Sequence, residues 1–271
     1  MEIPIGLKQI AAFTKRDFHR WTTYKTAMIT GLINVVIGVF SWGIRATYVK
    51  KPVQEMYGTD YVSFLVVGVC VSNLIMPLVR GVERQLNPWT LETILMTDIS
   101  TPVFVIGNVM WSYVFSIITF VPYILIGIHV FHARLNLNIA STIVAFAVSA
   151  AILMGLAMVS TGLRIVIKTQ DPVTWALDVL ENLFAGQAFP VTYLDTIFFP
   201  GASTISWFLP QTWVLHLCRL SMLTNPSLLN PAIQIQFLAG TVFAVILFPV
   251  GYKIFRWGVA RSKKEGTLGW Y

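Results

Sequence analysis

Residues 103–131, VFVIGNVMWSYVFSIITFVPYILIGIHVF, run for 29 positions without an aspartate, glutamate, lysine or arginine. A helix of about 20 apolar residues crosses a hydrocarbon core of roughly 30 Å, and 29 residues at about 1.5 Å each reach about 43 Å. The segment is therefore expected to tilt, to kink near Pro122 or to project beyond a bilayer. Outward from it, apolar runs of comparable character recur at about 26–46, 61–79, 139–163, 173–190 and 232–255. The composition agrees: 56% of residues are hydrophobic and 11% charged, against roughly 25% charged in soluble domains. The reading is an all-α integral membrane protein with one domain of six spans, about 26–255.

Six spans put both termini on one side, and the basic residues say which. Lys8, Lys15, Arg16, Arg20 and Lys25 precede the first run, Arg80 and Arg84 follow the second, Arg164 and Lys168 the fourth, and Lys253, Arg256, Arg261, Lys263 and Lys264 lie toward the end. These are 14 of the 19 basic residues; Arg45, Lys50, Lys51, Arg134 and Arg219 fall elsewhere. Positive residues gather on the cytoplasmic side of short loops, so both termini are expected in the cytoplasm of a plasma-membrane protein, with residues 256–271 as a basic tail. The same asymmetry accounts for the net charge of +7 without a nucleic-acid partner. The start of the chain lacks the apolar core and cleavage site of a signal peptide, so the first span is expected to stay as an anchor.

Within residues 1–25, a period of about 100° per residue gathers Leu7, Ile10, Ala11, Phe18 and Trp21 on one arc, opposite Lys8, Lys15, Arg16 and Arg20. That is the pattern of a helix lying on a membrane surface. In the fourth run, Ala147, Ala151 and Gly155 repeat every four residues, and Gly31 and Gly38 are candidates for the same role in the first. Small residues at this spacing let helix backbones approach closely.

The fifth run, VTWALDVLENLFAGQAFP, carries Asp178 and Glu181 and suits lipid poorly. Acids at membrane depth are functional candidates by default. They act either as a proton or cation site, which would make the chain an ion-coupled secondary transporter, or as hydrated residues near the cytoplasmic end, paired with Arg164 or Lys168. The segment that follows, to about residue 231, is aromatic but broken by Pro200, Gly201, Pro210, Pro226 and Pro231. Irregular backbone at membrane depth needs protein or a water-filled cavity around it, so short helices dipping back into the outer leaflet are expected over about 190–231.

Between the second and third runs stands ERQLNPWTLETILMTDISTP, Glu83–Pro102, holding three of the twelve acidic residues. Asn87 can cap a helix whose first turn Pro88 presets. On that helix, about 87–97, Leu91, Ile94 and Leu95 share a face and Glu92 lies off it. Such a face in a cytoplasmic loop calls either for a protein partner or for the membrane surface.

These features together resemble the ABC type 2 permease family, the membrane subunits of ATP-binding-cassette exporters. The basic amphipathic helix before the first span is similar to that family's elbow helix. GVERQLNPWTLETILMTDISTPVFVIGNVM resembles its signature after the second span, and LFAGQAFPVTYLDTIFFPGASTISWFLPQTWVLHLCRL its late signature, in which Gly, Phe-Pro, Leu-Pro and Arg close a re-entrant outer hairpin. The likeness covers about residues 7–260. It implies that the 87–97 helix is a coupling helix seated in a cytoplasmic ATPase, with Leu91, Ile94 and Leu95 as the docking face and Glu83, Asn87, Glu92 and Asp98 beside it. It implies as partners two copies of that ATPase, a second permease making a dimer, and membrane lipid. The chain departs from the family pattern at Asp195, where Pro is common, and at Pro88-Trp89-Thr90, which replaces a usual Gly-Thr.

No glycine here is followed by lysine, so the phosphate-cradling P-loop is absent. The chain is expected to bind no cofactor and to be no enzyme by itself, with ATP and Mg on the partner. No catalytic constellation is evident. His129 and His132, three apart, lack a third nearby metal ligand, and His19 and His216 read as surface or packing residues. For the pathway or gate, the candidates are Asn34 and Asn73 within spans and Phe184, Gln187, Phe189 and Phe208 at the hairpin. The expected cargo is hydrophobic or amphipathic, drug-like or lipid-like, with polysaccharide next.

Overall fold

A computed structural model describes residues 5–48, 57–83, 99, 101–167, 175–176, 179–180 and 183–265. Over these the chain is helical, with no strand among the described residues. The long helices are α1 (Ile5–Thr23), α2 (Lys25–Tyr48), α3 (Tyr61–Glu83), α4 (Thr101–His129) and α5 (Ile139–Ile167). After a 3-10 turn at Val191–Tyr193 come α6 (Leu194–Ile197), α7 (Ala202–Trp207), α8 (Pro210–Leu223) and α9 (Pro231–Lys264).

Among the described residues, three stretches are long and apolar enough to cross a membrane: Met110–His129 of α4, all of α5 and all of α9. The α1–α2 pair, bent by 94° at Tyr24, makes a fourth when counted as one. The chain is thus a membrane-embedded helical protein. Part of the fifth apolar run, including Asp178 and Glu181, lies outside the described residues. α3 runs for 23 residues from Tyr61 to Glu83.

Polar caps set where the helices begin. Asp60 accepts the Ser63 N–H (3.2 Å) and hydroxyl (2.8 Å), Asn138 Oδ1 accepts the Ser141 N–H (3.1 Å), and Asn230 Oδ1 accepts the Ala232 N–H (3.0 Å) ahead of Pro231. Each satisfies a donor that a helix start leaves free. α4 runs unbroken through Pro122 for 29 residues.

The helices sort by which faces they bury. α3 is buried all round from Ser63 to Ile75, save Asn73, as suits a helix that is apolar on every side. It stands at the centre, touched by α2, α4, α5 and α8. α2, α4 and α9 instead expose apolar stripes: Ile29, Ile33, Ile37, Phe40 and Ile44 on α2, and Ile235, Leu238, Val242, Val245 and Ile246 on α9. Hydrocarbon, not water, suits such surfaces.

The most extensive helix pair is α5 with α9, and glycine makes it. A Cβ on Gly251 would overlap the Gly155 carbonyl oxygen, and one on Gly258 the Gly162 carbonyl oxygen. The close approach therefore repeats every seven residues on both helices. Ala147 and Ala151 continue the stripe along the same groove, beside Thr241, Ala244 and Val245. At Gly155 the small-residue stripe thus serves packing within the chain, while Ala147 stays exposed. Gly38 likewise abuts the Tyr123 hydroxyl, whereas Gly31 meets nothing within 4 Å.

α1 packs along α4. Phe13 sits edge-on to Phe104 (6.4 Å between ring centres) and against Gly107, and Trp21 lies 6.0 Å from Trp111 and 5.7 Å from Phe115. The buried stripe is Phe13 and Asp17 with half-buried Trp21, while Leu7, Ala11 and Phe18 stay exposed. The apolar arc read from the sequence therefore divides between the protein and the outside.

Candidate functional site: a tied arginine and a lateral cavity

The segment between the fifth run and α9 is built around Arg219. Its neighbours on α8 are apolar, and the residue is 2% exposed. Its two terminal nitrogens donate to the carbonyl oxygens of Gly186 and Gln187. The guanidinium carbon also lies 3.7 Å from the Phe64 ring centre on α3, well inside cation–π range. Gly186 reaches this arrangement with a left-handed backbone (φ 78°). One side chain thus fastens the stretch before Phe189-Pro190 to α8 and both to α3.

Beside it, His216 joins three elements. Its Nδ1 lies 2.7 Å from the Tyr57 hydroxyl and its Nε2 2.6 Å from Gln236 Oε1 on α9. Burial pushes the Tyr57 phenol up to about 12; with Gln236 Oε1 accepting, Nε2 carries the His216 proton and Nδ1 accepts from the Tyr57 hydroxyl. Trp207 and Trp213 close around the ring, at 5.0 and 6.4 Å. The isolated histidine of the sequence is a packing residue with both nitrogens satisfied.

Asp195 shapes the next turn. Its carboxylate accepts the Gly201 N–H (3.0 Å), the Ser203 N–H (2.8 Å) and the Ser203 hydroxyl, while Gly201 supplies the left-handed φ of 94° that starts α7. Where proline would only bend the chain, Asp195 caps a helix. The Ser203 hydroxyl, then its N–H, hold the carboxyl below its ordinary value of 3.8. The stability it supplies is full above that value and lost as the pH falls through the lower, folded one. Acidification into that window is expected to lower the protection of the Ser203 amide, its exchange rate compared with the intrinsic rate at the same pH. Asp195→Asn should show the lower protection already at neutral pH, with no further change in protection on acidification.

The 130–138 connector is stitched to the end of α8. Asn136 and Asn138 N–H groups donate to Met222 and Ser221 carbonyls (3.0 and 3.3 Å), and the Ser141 hydroxyl donates to Pro226 O (2.7 Å). His132 lies here at φ 54°, beyond the helix that ends at His129. The two therefore do not share a helix face. Among the described residues no group of three or more His, Cys, Asp or Glu could hold a metal ion.

A cavity of about 290 Å³ lies between α3, α4, α5 and α8. Val71, Leu153, Val214 and Cys218 form its wholly buried end. Ile117, half exposed at 51%, stands at its mouth among the outward apolar residues of α4. The space exists because α4 and α5, consecutive in sequence, meet through side chains: Phe120 edge-on to Phe146 (5.5 Å) and the Tyr113 hydroxyl donating to Phe146 O (3.3 Å). A second polar contact at its wall is Ser149 Oγ with Cys218 Sγ, at 3.6 Å.

None of the pathway candidates lines this cavity. Phe184 stacks on Phe198 (5.4 Å) and, with Phe189, packs on Val191, Leu194 and Ala202. Gln187 contributes its carbonyl to Arg219. Asn73 is exposed and donates to Val69 O on its own helix. Asn34 on α2 and Phe208 after α7 are exposed. Glu83 is the last residue of α3, and Asn87, Leu91, Glu92, Ile94, Leu95 and Asp98 lie outside the described residues. The cavity gives no sign in the sequence, since its lining is ordinary apolar residues from four helices. Arg219 does: a lone cation in an apolar stretch must find partners. No family model, no curated protein and no solved structure matches the chain.

Proposed function

We propose that this chain is the permease subunit of an ATP-driven exporter, moving a hydrophobic or amphipathic substrate by alternating access with a second permease and a separate cytoplasmic ATPase. The observation that carries the reading is the basic amphipathic α1, turned 94° from α2 and packed by Phe13 and Trp21 along the first half of α4. That is the disposition of an elbow helix on the cytoplasmic surface, as the resemblance implies. The segment holding Leu91, Ile94 and Leu95 directly precedes α4, so force applied there by an ATPase has α4 as its lever and α1 as its bearing. The middle of α4 carries Tyr113, Ile117 and Phe120 at the cavity, which such a tilt would open or close. The tie from Arg219 to Gly186 and Gln187 supports a folded outer hairpin between the fifth and last spans. ATP and Mg stay with the partner.

Capture of the tagged permease from mild detergent, followed by ATPase assay, tests this. A soluble ATPase is expected to co-purify with the native chain and to be lost with Leu91→Asp or Leu95→Asp. A native chain that elutes alone and inactive from its own host would overturn the reading.

A further inference from the structure

We infer that the cavity between α4 and α5 is a binding site for a single alkyl chain, entered sideways from the bilayer past Ile117. Four observations meet here. The walls are carbon apart from Ser149, Cys218 and the Tyr113 hydroxyl, and Tyr113 is engaged with Phe146 O. A charged or hydrogen-bonding ligand would lose water there and gain no partner. An apolar void also stays dry, and one of about 150 Å³ takes up benzene, so about 290 Å³ admits a longer hydrocarbon. Third, the mouth is at Ile117, flanked on α4 by the exposed Val114, Ile118 and Val121, so hydrocarbon is what stands outside it. Fourth, the inner end at Val71, Val214 and Cys218 is closed by α3 and α8, so the occupant enters by an end and stops. A linear chain fits such a blind, lateral, apolar slot; a polar headgroup remains outside.

The inference stands on the cavity alone, and its test needs no ATPase. The full chain in nanodiscs is irradiated with two probes carrying a mid-chain diazirine, a phosphatidylcholine and a long-chain alcohol, and labelled peptides are mapped. Labelling within residues 113–120 and 146–153 is expected to saturate and to be competed by unlabelled chain, while labelling at Ile246 of α9 rises linearly. Labelling by the phosphatidylcholine identifies a bilayer lipid as the source, and labelling by the alcohol alone a free single-chain amphiphile; either supports the site. Each methylene excluded from apolar contact weakens binding by a factor of about four. Ser149→Leu, which displaces about two methylenes, should therefore raise the half-saturating concentration about fifteenfold. Ile117→Phe, at the partly exposed mouth, tests the entry with little demand on folding and should slow labelling. Labelling of the cavity peptides that is linear like that of Ile246, unaffected by either variant, or replaced by cross-links to a second copy would overturn the proposal.

Discussion

Gly258→Leu is expected to unfold the α5–α9 pair, with the detergent-solubilised chain losing its cooperative melting transition and its sharp elution. Three facts make the effect large. A Cβ at Gly258 would overlap the Gly162 carbonyl oxygen and lie 3.1 Å from its carbon, and backbone cannot swing aside as a side chain can. The reciprocal position is equally closed, since a Cβ on Gly162 would come within 2.8 Å of Ile254 O and Phe255 Cα. And this pair is the largest helix–helix contact in the fold. In a membrane, where apolar burial drives helix association weakly, close backbone packing carries much of the stabilisation. Even Gly258→Ala or Gly251→Ala should cost roughly 1–3 kcal/mol, as overpacking does, or several degrees in Tm. Gly31→Ala is the control, because nothing lies within 4 Å of its Cβ position and alanine favours helix over glycine by about 1 kcal/mol. It should be neutral or stabilising. Equal losses at Gly31 and Gly258 would show that glycine matters here for flexibility, and not for close approach.

The same pair shows what a sequence can disclose. Two helix starts were legible: α3 begins at Tyr61 and α5 at Ile139, where the apolar runs were placed, and Asp60 and Asn138 cap them there, whereas α9 runs on to Lys264, past the run's expected end at about 255. Ala147, Ala151 and Gly155 lie on the face that meets α9, as a small-residue stripe should. The seven-residue repeat through Gly162 was not evident, because it shows only beside Gly251 and Gly258, almost ninety residues away. Along α1 the apolar arc divides between two surroundings. Phe13 and Asp17 are buried by α4, and Leu7 and Ala11 are left outside, since periodicity gives a direction and never what lies in it. The cavity was out of reach for a related reason: it is a gap between α4 and α5, and no residue type encodes a gap. Buried Arg219 was readable as a cation in need of partners, but not that those partners would be two carbonyls more than thirty residues upstream.

Arg219→Met should free the 183–209 segment from α8, measured as rapid protease cleavage there and a large drop in Tm. The substitution keeps the length and apolar stem but leaves the Gly186 and Gln187 carbonyls without their donor and Phe64 without its cation. Hydrogen bonds from a charged group contribute roughly 1.5–3 kcal/mol each, and a desolvated cation–π contact about 2. The total is a large share of the 5–15 kcal/mol on which folded domains typically stand. Arg219→Lys keeps the charge but not the planar fork that reaches both carbonyls at once, and should recover part of the loss. Gly68 supplies the test that separates this tie from general packing. It sits on α3 directly under the guanidinium, so that a Cβ there would overlap Nη2 and lie 2.6 Å from Gln187 O. Gly68→Ala should reproduce the protease cleavage of Arg219→Met by pushing the guanidinium off its acceptors. In the Arg219→Met background, where there is no guanidinium left to displace, it should add little. Coupled residues depart from additivity in this way, whereas independent ones sum to within about 0.5 kcal/mol. Simple addition of the two losses would mean that Gly68 accommodates Gln187 alone, and that Arg219 holds the segment from elsewhere in its reach.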